Sequence, residues 1–379
     1  MPVPRVASPS CVALLATAAA AALLAACGPA APAAAAPGSV YIAGAGQLQA
    51  IGAGALDPQG QLHLPGPVVA ATVDARRHRL DLLVGGDVNT LIAIDVEAPS
   101  RLRVVARRGL AMAPMAMQLD AGDQRAYLLG DYGTGPGKLL AIDLDSGRIV
   151  GAAMTGKRPV SLALSGDGTR LAVANAGAPS IDVFSVPQLQ RLGTITLNAA
   201  PAQIVALSYG RKAFALCGDT VAVLDLDSRQ LLTYLPVGPR AQRLLAKPDG
   251  GEVYVSNASG SVSVIDTNTN EVATTLPAGL GAGAMAVAGD GSALYVANAD
   301  AGTISVLSLA DRTMAAMVRV GERPQLLQLS ANGEYLFAAD AGSGDLAVVR
   351  SNRDPSNPNT LVTLLAAPPQ AEMLVAGPQ

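Results

Sequence analysis

Tryptophan is absent from this chain of 379 residues, and aromatic side chains make up only 3% of it, as three Phe and eight Tyr. Histidine is nearly absent, with His63 and His78 alone, and cysteine occurs three times. Two histidines cannot build a His-rich metal centre and leave little for a haem with two His ligands. No Cys-x-x-Cys-His haem-attachment sequence occurs. So few aromatics also remove the stacking platform that grooves for single-stranded nucleic acid use. Charge is sparse at 15% of residues, and the net charge is −3, so no basic field draws a polyanion to the whole molecule. One long apolar run exists, Cys11–Ala26, of 16 residues, shorter than the roughly 20 a spanning helix needs.

That run follows Arg5 and reads as the core of an export signal over residues 1–26. It ends in Leu24-Ala25-Ala26-Cys27-Gly28, which resembles a bacterial lipobox. The resemblance implies that the signal is cut before Cys27, whose thiol and new amine are acylated. Several acyl chains give stable anchoring. Gly28 after the cysteine is similar to lipoproteins sent on to the outer membrane, on its periplasmic side. Residues 27–39 then form the lipidated cysteine and an Ala/Pro tether, and residues 40–379 a single domain. An uncleaved membrane anchor is the alternative. With Cys11 removed and Cys27 acylated, Cys217 has no disulfide partner and reads as a small buried hydrophobe at the end of Ala213-Phe214-Ala215-Leu216.

What the chain has in quantity is glycine, 40 residues, and proline, 26, arranged around a repeat. Glu252–Asp266 aligns with Ala293–Ser308, and the shared pattern closes at Gly52, Asp95, Asp143, Ser185, Asp225, Asp266, Ser308 and Arg350, at spacings of 43, 48, 42, 40, 41, 42 and 42 residues. Each unit holds four short strand-like pieces separated by Asp/Gly/Asn turns such as Ser165-Gly166-Asp167-Gly168, whose residues tolerate positive φ. Period-two alternation, as in Ser261-Val262-Ser263-Val264, marks sheet. Four antiparallel strands about every 42 residues predict an all-β fold, a β-propeller of four-stranded blades, with no helix after the tether. Tyr254-Val255-Ser256-Asn257 and Tyr295-Val296-Ala297-Asn298, with Val264-Ile265-Asp266 and Lys247-Pro248-Asp249-Gly250, resemble the YVTN-type propeller repeat family, best over residues 155–340. That family spans many roles, so the likeness points to fold.

Seven complete units leave Val40–Leu64 with three strands and no first one. Pro369–Leu374 resembles the first-strand opening Pro324–Leu329. The expectation is an eighth blade shared by the two ends, which removes open sheet edges; seven blades is the alternative.

Propeller topology puts the outer-to-inner loops and the second-to-third strand turns on one face, around the channel mouth. Arg107, Arg108, Lys157, Arg158, Arg240 and Glu322-Arg323 are assigned to the loops, and Asp131, Asn175, Asn257, Asn298 and Asp340 to the turns. The basic groups make these eleven residues, Glu322 aside, candidates for anion binding. Against that stands a plain reading: Asn and Asp at strand ends serve turns, and the arginines are solvated. Propellers that carry quinone cofactors have recurring Trp, which is absent here. No Ser/His/Asp nucleophile elbow is present, and no cofactor or metal is expected. The function expected is an envelope-anchored scaffold that binds a protein, peptide or glycan on one propeller face, touching membrane through its lipid alone and not binding nucleic acid. The alternative is a carboxylate-based hydrolase or lactonase-like enzyme, with or without a divalent metal, in the channel.

Overall fold

The structure, a computed structural model, describes residues 38–131, 135–351 and 359–378. The described residues all fall within one compact unit. The export signal, Cys27 and most of the tether lie outside the described residues.

The second strand of each blade is buried on both faces, as in Arg79–Val84 and Glu252–Asn257, because a blade is sandwiched between two neighbours. Outer strands bury alternate residues and leave the rest to solvent; Glu271–Pro277 and Thr313–Arg319 show the same pattern of burial. The result is eight four-stranded antiparallel sheets, seven of them with their strands in sequence order. Their inner strands neighbour one another in an unbroken circle. Two single-turn 3-10 helices, Ala75–Arg77 and Pro99–Arg101, are the helical elements among the described residues.

Blade one is the shared one. Its inner strand is Ala371–Ala376, followed outward by Ser39–Gly44, Gln47–Gly52 and Asp57–His63. Val40 pairs with Ala376 and Ile42 with Leu374, so the chain's two ends are hydrogen-bonded into one sheet. The register differs from the expected one by two residues. Ala371, not Pro369, is the structural equivalent of Pro324, since each starts its strand and is followed by the same bulge. A two-residue slip preserves the in-and-out alternation, which is why sequence likeness did not detect it.

Blade two comprises Val68–Asp74, Arg79–Val84, Thr90–Asp95 and Arg103–Gly109, and blade three Ala113–Leu119, Arg125–Asp131, Pro136–Asp143 and Ile149–Lys157. Blades four to eight span residues 159–196, 203–236, 241–277, 282–319 and 324–366. Hydrophobic clusters fill the clefts between blades, each drawing on two neighbours. The first-to-second strand turns are closed by side chains: Asp167 accepts from the Thr169 N–H and Asp290 from the Ser292 N–H. Gly168, at φ 68°, supplies the left-handed residue that such a turn requires.

We call upper the face that carries the second-to-third turns and the outer-to-inner loops, and lower the face with the other hairpins.

Candidate binding site at the channel mouth

The Asn and Asp residues that end the second strands lie beneath the upper surface rather than on it. Asn175, Asn257 and Asn298 are fully buried and Asp340 nearly so. Asn298 donates to Thr303 and Ser305 and accepts the Gly279 N–H at 3.0 Å from the preceding loop. Asn257 donates to Ser261 and Ser263, while Asn175 donates to Ser180 and to Asp182, which itself accepts the Gly156 N–H at 2.7 Å. Asn175 and Asn257 fasten the loop above them through Asp182 and through Ser263, which donates to the Val237 carbonyl, whereas Asn298 does so directly. Asp340 does the same for Gly321, and burial pushes its carboxyl up to about 7, with the neighbouring charge of Asp345 adding to the effect. Asp131 is half-buried at the edge of the undescribed residues 132–134. Cys217 holds the equivalent place in blade five, buried and free, its thiol raised to about 11 by burial.

Three arginines occupy one recurring position, the residue immediately before an inner strand. Arg158, Arg240 and Arg323 have φ of 49°, 59° and 57°, and Gln370 and Gly281 sit there in blades one and seven at 51° and 79°. The left-handed backbone turns the loop into the bulge that opens the strand, as between Ala241 and Arg243. Arg158, Arg240, Arg323 and Lys157 are exposed on the upper face. Arg107 and Arg108 are not loop residues. They belong to the outer strand of blade two, and Arg108 donates to the Gly147 carbonyl of blade three, away from the mouth.

The two faces differ in how their cations are used. On the lower face Arg77 pairs with Asp74 and Asp145, Arg170 and Arg211 with Asp227, Lys247 with Asp249 and Arg312 with Glu252, several of these pairs joining adjacent blades. On the upper face Lys157, Arg158, Arg240, Arg243 and Arg323 form no ion pair among the described residues.

Two of those arginines line a cavity of about 490 Å³ at the channel mouth, between blades six, seven, eight and one. Arg240, Gln242 and Arg243 form one wall, Gln325 and Glu372 the other, and Ala258, Gly281, Gly283 and Ala284 keep its floor open. Asp300 stands at the passage into a second hollow of about 380 Å³ that holds Arg319, Glu322 and Arg323. The sequence reading missed Gln242, Arg243, Gln325 and Glu372. The feature that hides Arg243 is the bulge, which turns Gln242 and Arg243 both to solvent where strict alternation allows one. Glu372 is anchored, accepting the Val68 N–H of blade two at 2.8 Å. Among the described residues no group of three or more His, Cys, Asp or Glu is placed to hold a metal ion.

Residues 238–374 match the model of a family described as lactonase, 7-bladed beta-propeller. The match takes in every residue that lines the mouth cavity. It covers blades six to eight and part of the shared blade, whereas this ring has eight blades. Among solved structures, dihydro-heme d1 dehydrogenase NirN in complex with DHE is similar with a TM-score of 0.71 at 12% identity, covering 91% of this chain and 77% of that one. Hydrazine synthase of Kuenenia stuttgartiensis has a TM-score of 0.59 at 16% identity over 76% of this chain and 96% of that one. A functionally unknown protein from Desulfotomaculum acetoxidans DSM 771 has 0.60 at 15% identity over 74% and 95%. At such identities the likeness is one of fold. The fold is a β-propeller.

Proposed function

We propose that this propeller is a recognition module whose upper face binds a carboxylate-bearing ligand at the channel mouth. The observation that carries the reading is that Arg240 and Arg243, with no acidic partner among the described residues, line a cavity of about 490 Å³ beside the amides of Gln242 and Gln325. Guanidinium groups suit bidentate capture of a carboxylate, and flanking amides suit hydroxyl or peptide groups. The size fits one sugar acid or a short acidic peptide end. Glu372 and Asp300 would reject an anion placed elsewhere in the cavity, and so fix its orientation. In this account the repeats are of the YVTN type, acyl chains on Cys27 hold the module in the bacterial envelope, and the ligand is carried on an envelope peptide or glycan.

A second reading, catalysis, is favoured by the family match, since the family's description names lactonases and its model spans the whole cavity. Opening a lactone yields a hydroxy acid, whose carboxylate the same arginines would hold. Asp300 would act on the attacking water, Glu372 being tied to Val68. One experiment separates the two. Titrate the full-length chain with D-gluconate, then follow acid release from D-gluconolactone in a pH-stat. Saturable gluconate binding without acid release above the spontaneous rate supports recognition. Release abolished by Asp300→Asn replaces it with hydrolysis, and no binding with no release removes both.

A further inference from the structure

The third residue of each second strand points into the cleft towards the next blade, and in six of the eight blades it is aromatic: Tyr41, Tyr127, Phe214, Tyr254, Tyr295 and Phe337. Blade four has Ala172, buried in an aliphatic cluster. Blade two has Asp81.

In blades one and three the ring-bearing residue pairs across the sheet with small residues, Tyr41 facing Ala50 and then Gly60, and Tyr127 facing Ala141 and then Gly151. Blade two keeps the small residues, with Asp81 facing Ala93 and then Ala106, but lacks the ring. A cavity of about 250 Å³ lies between blades two and three, lined by Leu91, Ala93, Ala106, Ile142 and Leu144 and by the charged Asp74, Arg79, Arg107 and Arg108. Asp81 lines it at 2% exposure, and its Oδ2 has no hydrogen-bond partner. Across the strand pair from it, the Thr72 hydroxyl is buried and unpartnered as well. Burial, reinforced by the charge of Asp74, pushes the Asp81 carboxyl up to about 7. A void in the packing and an unsatisfied buried carboxyl each cost stability, and one molecule can relieve both.

We propose that this inter-blade cavity binds a small single-ring compound carrying a hydrogen-bond donor, a phenol or a benzylic amine. Its ring takes the space that a tyrosine ring fills in blades one and three, and its donor meets Asp81 Oδ2. The volume lies just below the range of drug-sized pockets, which limits the occupant to about one ring. The site is independent of the channel mouth and of anything bound there.

The test uses the full-length chain with phenol and benzylamine as probes and toluene as the ring without a donor, read by saturation-transfer NMR and by thermal unfolding. Phenol, benzylamine or both should bind and raise the unfolding temperature, and toluene should bind at least about tenfold more weakly, the worth of a hydrogen bond to a charged group. Asp81→Ala should erase that preference. Asp81→Tyr should abolish binding and itself raise the unfolding temperature, by supplying the missing ring. If that variant does not fold, Ala93→Leu fills the same space from the adjacent strand and should abolish binding with Asp81 intact. Binding unchanged in both filling variants, equal affinity for toluene and phenol, or no binding by either donor probe overturns the proposal.

Discussion

Gly321 and Asp340 interlock where blade seven hands the chain to blade eight. The Gly321 N–H donates to Asp340 Oδ2 at 3.0 Å, and a Cβ on residue 321 would lie 2.5 Å from that same oxygen. The other carboxylate oxygen, Oδ1, is buried without a partner. In blades six and seven an Asn takes this place and donates to the hydroxyl directly across the hairpin, Ser261 or Thr303. Across from Asp340 stands Asp345.

That arrangement makes stability depend on pH. The Asp340 carboxyl moves from an ordinary value of 3.8 to about 7, and that of Asp81 does likewise. A raised folded-state pKa means that the folded protein holds protons the unfolded chain has released. The stabilisation is complete below about pH 4 and is lost as pH rises through about 7. Each group contributes up to about 4 kcal/mol across that window. Asp340→Asn should flatten the fall and raise stability at pH 8, its amide donating towards Asp345. Urea unfolding at several pH values measures this; an unchanged slope between pH 4 and 7 contradicts it.

On the lower face the pairs are unequal in worth. Arg77 reaches Asp74 at 2.7 Å, and Asp74 is 1% exposed. Arg77→Ala leaves that carboxylate buried beside Asp81 and should cost about 3 kcal/mol. Arg103 pairs with Asp95 at 2.9 Å with its own side chain 73% exposed, so Arg103→Ala should cost less than about 0.5 kcal/mol. Chemical denaturation of the two variants side by side tests the ranking.

Arg240 and Arg323 hold left-handed backbone that glycine adopts freely, as Gly281 does in blade seven. Arg323→Gly and Arg240→Gly should each stabilise the fold by roughly 0.5–1 kcal/mol. Arg→Ala at the same places should bring no such gain. If the side chains are kept for a ligand, the more stable glycine variants bind it more weakly. Paired unfolding and titration data on one preparation decide the matter.

The shared blade implies that removing Pro368–Gln379 strips the inner strand from the sheet that joins the two ends. Tyr41 and its neighbours would then be without Met373 and Val375, which pack in their cluster. The truncated chain should unfold well below the full-length one, or fail to fold. Equal unfolding temperatures in calorimetry would show that the ring closes without this strand.

The architecture was legible because one pattern is written eight times. The Asp-Gly turns, the period-two strands and a first-strand segment near the C-terminus, read as Pro369–Leu374 and found at Ala371–Ala376, each follow from local chemistry repeated at fixed spacing. Little of the candidate site was legible. Asn175, Asn257, Asn298 and Asp340 attract notice as polar residues at strand ends, yet their hydrogen bonds run inward, from Asn175 and Asn257 to the third strand and from the Gly279 and Gly321 N–H groups of the loop above to Asn298 and Asp340. Arg243 and Glu372 are separated by more than a hundred positions and meet only because the ring closes, and a bulge exposes Arg243 out of phase. Asp81 was hidden for another reason. Its meaning lies in a ring that the other blades have and this one lacks.

The recognition proposed for the channel mouth rests above all on its unpaired cations, so the most direct measurement is the affinity for D-gluconate of the Arg240→Ala/Arg243→Ala double variant. Arg103→Ala/Arg170→Ala serves as a lower-face control of equal charge. The mouth variant should bind at least about tenfold more weakly than the parent, and its residual affinity should no longer fall with added salt as that of an ion pair does. The control should bind as the parent does. Equal weakening in both variants, or unchanged affinity in the mouth variant with its fold intact, contradicts the account.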